Sequence, residues 1–340
     1  MNTSSKLSVA IVGTGAMGGL LGFRFAAAGF PVTFLERGER LAALRGKGLT
    51  LIGADGRTTR MAVRQATDQP HTVGAHDLVI LAVKAHQIAD VASDISPLLH
   101  SDSAILTIQN GIPWWYFQNH GGEFDGLRLK SLDPLGVIER SIPAKHIVGC
   151  VAYPAATVAE PGVVVHVEGD RFPIGELDGA SSDRCFRISE AFQEAGFRSR
   201  VLDDIRNEIW LKAWGSLTFN PISALTGATM EDICRHPQTR DLAARMMNEA
   251  RAVAEKLGVK FRHTIERRLE GAEKVGPHKT SMLQDVEAGA TLEVEALIGS
   301  VVELAELTGT PVPAVNAVYA CLGLLDRKIQ TRLGRVELLT

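Results

Sequence analysis

The stretch LSVAIVGTGAMG, residues 7–18, constrains the fold more than any other part of the chain. Its unbroken apolar, β-branched run from 7 to 13 suits a strand buried on both faces, as strands of parallel sheets are. The helix-like GGLLGFRFAAAG follows over 18–29 and stops at a glycine. Between them Gly13, Gly15 and Gly18 fit G-x-G-x-x-G. In such a turn the first glycine permits the tight bend, the second lets a pyrophosphate approach the backbone, and the third lets helix and strand pack closely. The helix start then holds the negative charge. The spacing predicts a dinucleotide-binding turn made of Gly13, Thr14, Gly15, Ala16, Met17 and Gly18. An acidic residue, Glu36, stands about 20 residues on, at the end of the next strand.

Further strand-like runs, FPVTFLER, DLVILAVKA and SAILTIQNGI, alternate with helical or loop material. This βαβ punctuation implies a mostly parallel sheet covered by helices, with ligands beyond the carboxyl ends of its strands. PGVVVHVEG and RFPIGE are hairpin-like, and AFQEAGFRSRVL reads as one more helix and strand. Beyond Asp203 the character changes to long amphipathic or apolar helices, among them DLAARMMNEARAVAEKLG, KTSMLQDVEAGA, TLEVEALIGSVVELAELTG and AVNAVYACLGLLDRK. A chain of 340 residues exceeds the roughly 250 to 300 at which single cores stop growing. The expectation is an α/β protein with a Rossmann-type dinucleotide-binding domain over 1–203 and an all-helical substrate domain over 204–340, its tail loose after Leu333.

The net charge of −3 and the even scatter of lysine and arginine give no basic patch, so nucleic acid is not an expected partner. Cys150, Cys185, Cys234 and Cys321 lie far apart without C-x-x-C or histidine at ligand spacing; they read as reduced, buried thiols, and no metal is expected. MNTSSK leads into an apolar run too short for a secretory signal, and nothing approaches the roughly 20 apolar residues of a membrane span. These features describe a cytoplasmic protein with small-molecule partners. The apolar helices of the second half suit either a monomer core or a homodimer face.

Two neighbours point to different nucleotides. Glu36 suits the ribose 2′-hydroxyl of NAD, whereas Arg37 could pair the 2′-phosphate of NADP. In the second half, Lys212, Ser216 and Asn220 of KAWGSLTFNP recur every four residues. At roughly 100° per residue they form one stripe, in line with Ile205 and Ile209. Trp210, Leu211, Trp214, Leu217 and Phe219 take the remaining circumference. A helix apolar nearly all round is buried, so its polar stripe faces a cavity or another element. A lysine snorkelling to the surface beside two small backbone-bonded residues would give the same spacing. The pattern alone leaves both open.

The ordered set GTGAMG, AVKAHQ with Lys84, IQNGI with Asn110, EIWLKAWGSLTFNP and HKTSMLQDVEAGATLEVEA resembles the ketopantoate reductase (2-dehydropantoate 2-reductase) family from residue 7 to about 315. The resemblance implies a Rossmann domain joined to a helical domain of the 6-phosphogluconate-dehydrogenase-like class. It implies NADPH-dependent reduction of a 2-oxo acid to a 2-hydroxy acid, ketopantoate to pantoate, in pantothenate and coenzyme A biosynthesis. It assigns Lys212 as proton donor and Glu293 as a second catalytic residue that positions substrate and cofactor. Asn220, the residue at 216 and Ser281 would hold substrate, with Ser281 on its carboxylate. Asn110 would sit where nicotinamide and substrate meet, and Arg37 and Lys84 would contact the cofactor, favouring NADP over NAD.

The residue types suit that chemistry. Hydride arriving at a ketone leaves negative charge on oxygen, so a positioned acid must supply a proton. Lysine serves when burial lowers its pKa, and Trp210, Leu211 and Trp214 beside Lys212 could provide that burial. Plainer roles fit some of the same residues: Asn110 as a turn residue, Ser281 as a helix N-cap, and Glu293 as part of an acidic face with Glu287 and Glu295.

Two features depart from the family pattern. Ser216 stands where asparagine is general, and PWWYFQNHGGEFDGLRLKSLDP (113–134) looks like an insertion. Trp114, Trp115, Tyr116 and Phe117 could line a substrate mouth, form a lid or subunit contact, or fill a satellite core under the loop. These departures keep open a reductase of a bulkier 2-oxo acid. A non-catalytic NAD(P)-sensing regulatory protein is the alternative of another class.

Overall fold

The computed structural model describes residues 6–332, and the expected loose tail after Leu333 lies outside them. The chain forms two compact units. The first comprises residues up to Gln109, then Trp114–Arg128 and Leu135–Ile205; the second comprises Asn110–Pro113, Leu129–Pro134 and Arg206 onward. Both units thus draw on the segment 110–134.

The strands of the first unit are β1 (Val9–Val12), β2 (Val32–Leu35), β3 (Leu49–Ile52), β4 (Thr58–Met61), β5 (Ala66–Thr67), β6 (Leu78–Leu81), β7 (Ala104–Thr107), β8 (Ile147–Cys150), β9 (Ala155–Glu160), β10 (Val163–Glu168) and β11 (Ile174–Gly175). Its helices are α1 (Ala16–Ala27), α2 (Gly38–Lys47), α3 (Ile88–Val91), α4 (Val137–Ser141) and α5 (Asp183–Glu194). Seven strands form one sheet in the order β11-β8-β7-β6-β1-β2-β5, parallel throughout except between β8 and β11. β1, β6, β7 and β8 are buried at every position, which is why their sequences run apolar without alternation. From β1 the chain moves outward to β2 and β5, then returns to β6 on the other side of β1. The carboxyl ends of β1 and β6 therefore flank the switch point where open α/β sheets take ligands.

The hairpin-like pattern is β9–β10, and it does more than the sequence indicates. β10 also pairs in parallel with β3, making a second sheet in the order β4-β3-β10-β9. Val164 of β10 fills the space that a side chain at Gly19 of α1 would need. β4 reads TTRM and is mostly exposed, so no apolar pattern announces it. The strand expected in FRSRVL is reduced to isolated bridges, Arg171 to Arg198 and Ile174 to Val201, since β11, which it flanks, offers two residues.

The helices of the second unit are α6 (from Ile205 to Thr226), α7 (Met230–Arg235), α8 (Pro237–Lys256), α9 (Ile265–Lys274), α10 (Ser281–Glu287), α11 (Ser300–Leu307) and α12 (Pro313–Arg332). The expected helix over TLEVEALIGSVVELAELTG starts instead with a π turn, Glu295–Gly299, that leads into α11. Pro221 lies inside α6; lacking an N–H, it interrupts the helical ladder one residue after Asn220.

The aromatic run is a satellite core and no lid. Trp114, Trp115, Tyr116 and Phe117 are each 5% exposed or less. Trp115 Nε1 donates to Thr107 Oγ1 at 2.9 Å, and Phe117 packs edge-on against Tyr116 and beside Phe124. The segment is a series of turns, which lets four consecutive rings point inward where a strand could not. Of the cysteines, Cys150, Cys185 and Cys234 are buried, but Cys321 is exposed on α12, correcting the expectation of four buried thiols. Among the described residues no helix is long and apolar enough to cross a membrane, and no group of three His, Cys, Asp or Glu side chains could hold a metal ion.

One buried ion pair ties α5 to the sheet. Arg184 Nε and Nη2 donate to the two carboxylate oxygens of Glu176, each at 2.6 Å, and Ser182 Oγ donates as well. Burial pushes the Glu176 carboxyl up, but the bonds from Arg184 and Ser182 outweigh it and hold the pKa below its ordinary value. A carboxyl depressed by folding stabilises fully above its unfolded pKa, about 4.3, and that stability is lost as pH falls through the folded value. Glu176→Gln should therefore reduce unfolding free energy at pH 7 by about 2 kcal/mol and flatten its decline between about pH 5 and 2. Urea unfolding across that range, wild type against variant, measures both.

Candidate functional site

The predicted site residues fall into two groups, one in each unit. In the first unit, Gly13 has φ +92°, and a Cβ there would lie 2.7 Å from Val83 Cγ1 at the exit of β6. A Cβ at Gly18 would overlap the Gly13 carbonyl oxygen. Both glycines are required by the turn itself. Gly15 differs: a Cβ there would meet nothing within 4 Å. It is the N-cap of α1, makes no side-chain cap bond, and has no acidic residue in the turn after it. Open space over an uncapped helix start suits an approaching diphosphate.

The Glu36 carboxylate bonds to the glycine turn itself. Its Oε2 accepts from both the backbone N–H and Oγ1 of Thr14 at 2.6 Å, and its Oε1 accepts from Arg37 N–H at 2.9 Å. The carboxylate is thereby drawn back onto the glycine turn. Arg37 Nη2 reaches Asp94 Oδ2 at 2.6 Å, on the wall of a cleft of about 430 Å³ that also includes Asp68, His71 and Ser93. Lys84 follows the tip of β6, its backbone N–H donating to Gln87 Oε1 at 3.1 Å.

Sequence reasoning passed over Gln109. Its Nε2 donates to the Leu81 and Val83 carbonyls at 2.8 and 2.9 Å, spanning the ends of β6 and β7, and its Oε1 is buried with no partner. A buried acceptor left open at a strand end calls for a donor. The only signal in the sequence was its place immediately before Asn110.

In the second unit, Lys212 Nζ donates to Asn110 Oδ1 at 2.7 Å. The half-buried lysine thus has an acceptor within its own unit. Side chains two positions apart on a helix face nearly opposite ways, so Trp210 and Trp214 anchor the other side of α6. Trp214 donates Nε1–H to the Met247 carbonyl at 2.8 Å and packs on Phe261. Asn220 is buried, with Nδ2 3.5 Å from Ser281 Oγ. Ser281 is not the N-cap of α10: Thr280 fills that role, accepting from Leu283 N–H, and so the Ser281 hydroxyl is not spent on capping. Ser216 lies on the stripe with its Oγ 3.4 Å from the Lys212 carbonyl, one turn back. Glu293 is half-buried just ahead of the π turn, its backbone carbonyl accepting from Leu297 N–H at 3.2 Å.

Comparison with known proteins finds the same architecture elsewhere. Residues 9–179 match the family model described as "Ketopantoate reductase PanE/ApbA", and residues 204–326 match its C-terminal counterpart. A 2-dehydropantoate 2-reductase of Mesorhizobium japonicum is 45% identical over 315 residues, 92% of this chain and 96% of that protein. A crystal structure from Ralstonia solanacearum, assigned to ketopantoate reductase, superposes with a TM-score of 0.91 at 36% identity, covering 97% of this chain and 99% of that one. A 2-dehydropantoate 2-reductase structure from Geobacter metallireducens gives 0.82 at 26% identity, covering 94% and 99%.

The glycine turn yields a paired test. Gly18→Ala forces backbone apart and should lower stability by about 1 to 3 kcal/mol, while Gly15→Ala should melt within about 0.5 kcal/mol of wild type. Gly15→Ala should nevertheless weaken dinucleotide binding, because its methyl group occupies the space over the helix start. Thermal melts with and without dinucleotide separate the two effects.

Proposed function

Because this chain belongs to the ketopantoate reductase family, we propose that it reduces the ketone of 2-dehydropantoate to the alcohol of pantoate, with NADPH as hydride donor, in pantothenate biosynthesis. The observation that carries this reading is the bond between Lys212 and Asn110. It fixes a lysine ammonium on the polar stripe of α6, in the same unit as Asn220 and Ser281.

The glycine turn, Arg37, Lys84 and Gln109 would hold the cofactor: the turn its diphosphate, Arg37 and Lys84 the 2′-phosphate, and the open Gln109 Oε1 a donor such as the nicotinamide carboxamide. When bound, the cofactor supplies the hydride. The bonds from Thr14 draw the Glu36 carboxylate onto the glycine turn and so lessen the repulsion that an acid beside a 2′-phosphate would create. That favours NADPH over NADH.

The protein's own contribution is proton supply and placement. As negative charge grows on the substrate oxygen, Lys212 Nζ delivers a proton to it. Asn110 Oδ1 accepts one of the three ammonium hydrogens and so orients the donor. Asn220 and Ser281 hold the carboxylate end and Ser216 borders it, while Glu293 orients substrate and cofactor. General acid catalysis of this kind is worth roughly 10²- to 10⁴-fold.

A panel of 2-oxo acids, followed by loss of reduced-nicotinamide absorbance with NADPH and with NADH, tests the proposal. The expected outcome is preferred turnover of 2-dehydropantoate with NADPH, and a fall of roughly 10²- to 10⁴-fold in kcat for Lys212→Met at unchanged NADPH affinity. Tight NADPH binding with no acid consumed would defeat the reading in favour of a sensor. Preference for a larger acid would redirect it within the same chemistry. The 2′-phosphate assignment is checked separately: Arg37→Ala should weaken NADPH binding by roughly tenfold or more and leave NADH nearly unchanged.

A further inference from the structure

The π turn at Glu295–Gly299 solves a problem that the helix stripe alone does not. In a regular α-helix the Ser300 N–H would bond to the Ala296 carbonyl; here it reaches one residue further back, to Glu295. The Ala296 carbonyl is thereby released from the helical ladder. It accepts instead from Ile112 N–H at 2.9 Å, and from Ser300 Oγ at 3.0 Å. Ile112 is two residues from Asn110, and Gly111 lies between them with φ +85°. A Cβ on Gly111 would overlap the Ala296 carbonyl oxygen, so the two backbones meet where only glycine fits. The first residue of the π turn is tied down in turn, because Tyr319 OH on α12 donates to the Glu295 carboxylate at 2.9 Å. Gly299 leaves room for that carboxylate and for the Tyr319 ring.

We infer that the π turn is a positioning element: the carbonyl it releases fixes Gly111–Ile112 and so aims the Asn110 carboxamide at Lys212, with Gly111 and Tyr319 as positioning residues. A regular helix would offer no such acceptor to the 110–112 backbone. The inference rests on the proposed role of Asn110 and Lys212, and it adds the device that holds them in register.

A double-mutant cycle tests it, using the full-length enzyme and the 2-oxo acid selected by the panel. Asn110→Ala and Gly111→Ala should each lower kcat by about a hundredfold, the scale of a misplaced catalytic group. In the Asn110→Ala background, Gly111→Ala should add no more than about twofold, because the two act through one contact. If Gly111→Ala does not fold, Tyr319→Phe replaces it in the same cycle; it should lower kcat several-fold in the wild-type background and not at all in Asn110→Ala. Additive losses, or a folded Gly111→Ala with wild-type kcat, would overturn the inference while leaving the site reading intact. Wild-type kcat in Asn110→Ala itself would overturn both.

Discussion

A half-buried ammonium must find an acceptor, because a partly buried charge without one is expensive. Lys212 finds its acceptor 102 residues away in sequence, at Asn110. Asn110 itself belongs to the second unit. That unit includes two short pieces of the preceding half of the chain, Asn110–Pro113 and Leu129–Pro134, and each is held by an acceptor from one stretch of sequence. The Ala296 carbonyl takes the Ile112 N–H. The Glu303 carboxylate takes the N–H groups of Lys130 and Ser131 together with the Ser131 hydroxyl. The helical unit is therefore stitched by borrowed loops as well as by its own helices.

The first unit meets a comparable demand at the glycine turn. A helix start without a capping side chain needs partners for its N–H groups, yet the nearby carboxylate of Glu36 does not cap α1 at Gly15. It bonds to Thr14 instead. The loop is thus braced from behind while its outer face stays open. One acid braces the turn, and the adjacent base, Arg37, reaches Asp94 on the wall of the cleft.

The parts of the fold legible in the sequence are those with a strong period or a backbone requirement. Buried parallel strands announce themselves as unbroken apolar runs, and Gly13 and Gly18 mark places where no side chain fits. The second sheet was hidden because β4 is polar and exposed and because β3 to β10 is a long-range pairing that local pattern does not reveal. In the site, the stripe of Lys212, Ser216 and Asn220 was visible from spacing. That the ammonium meets Asn110 was not, because the two residues lie 102 positions apart. Gln109 and the π turn escaped notice for a shared reason: their importance lies in one unpaired or displaced carbonyl, which leaves no trace in residue type.

The second sheet also bears on modularity. Its strands β9 and β10 come late in the unit, yet Val164 covers the small-residue flank of α1, the helix that begins the whole chain's architecture. A fragment ending after β8 would keep every central strand of the large sheet and still strip that flank bare. The nucleotide half is accordingly not a portable cassette: its earliest helix is finished by some of its latest residues, so its outer wall closes only when the ribosome has made nearly all of it.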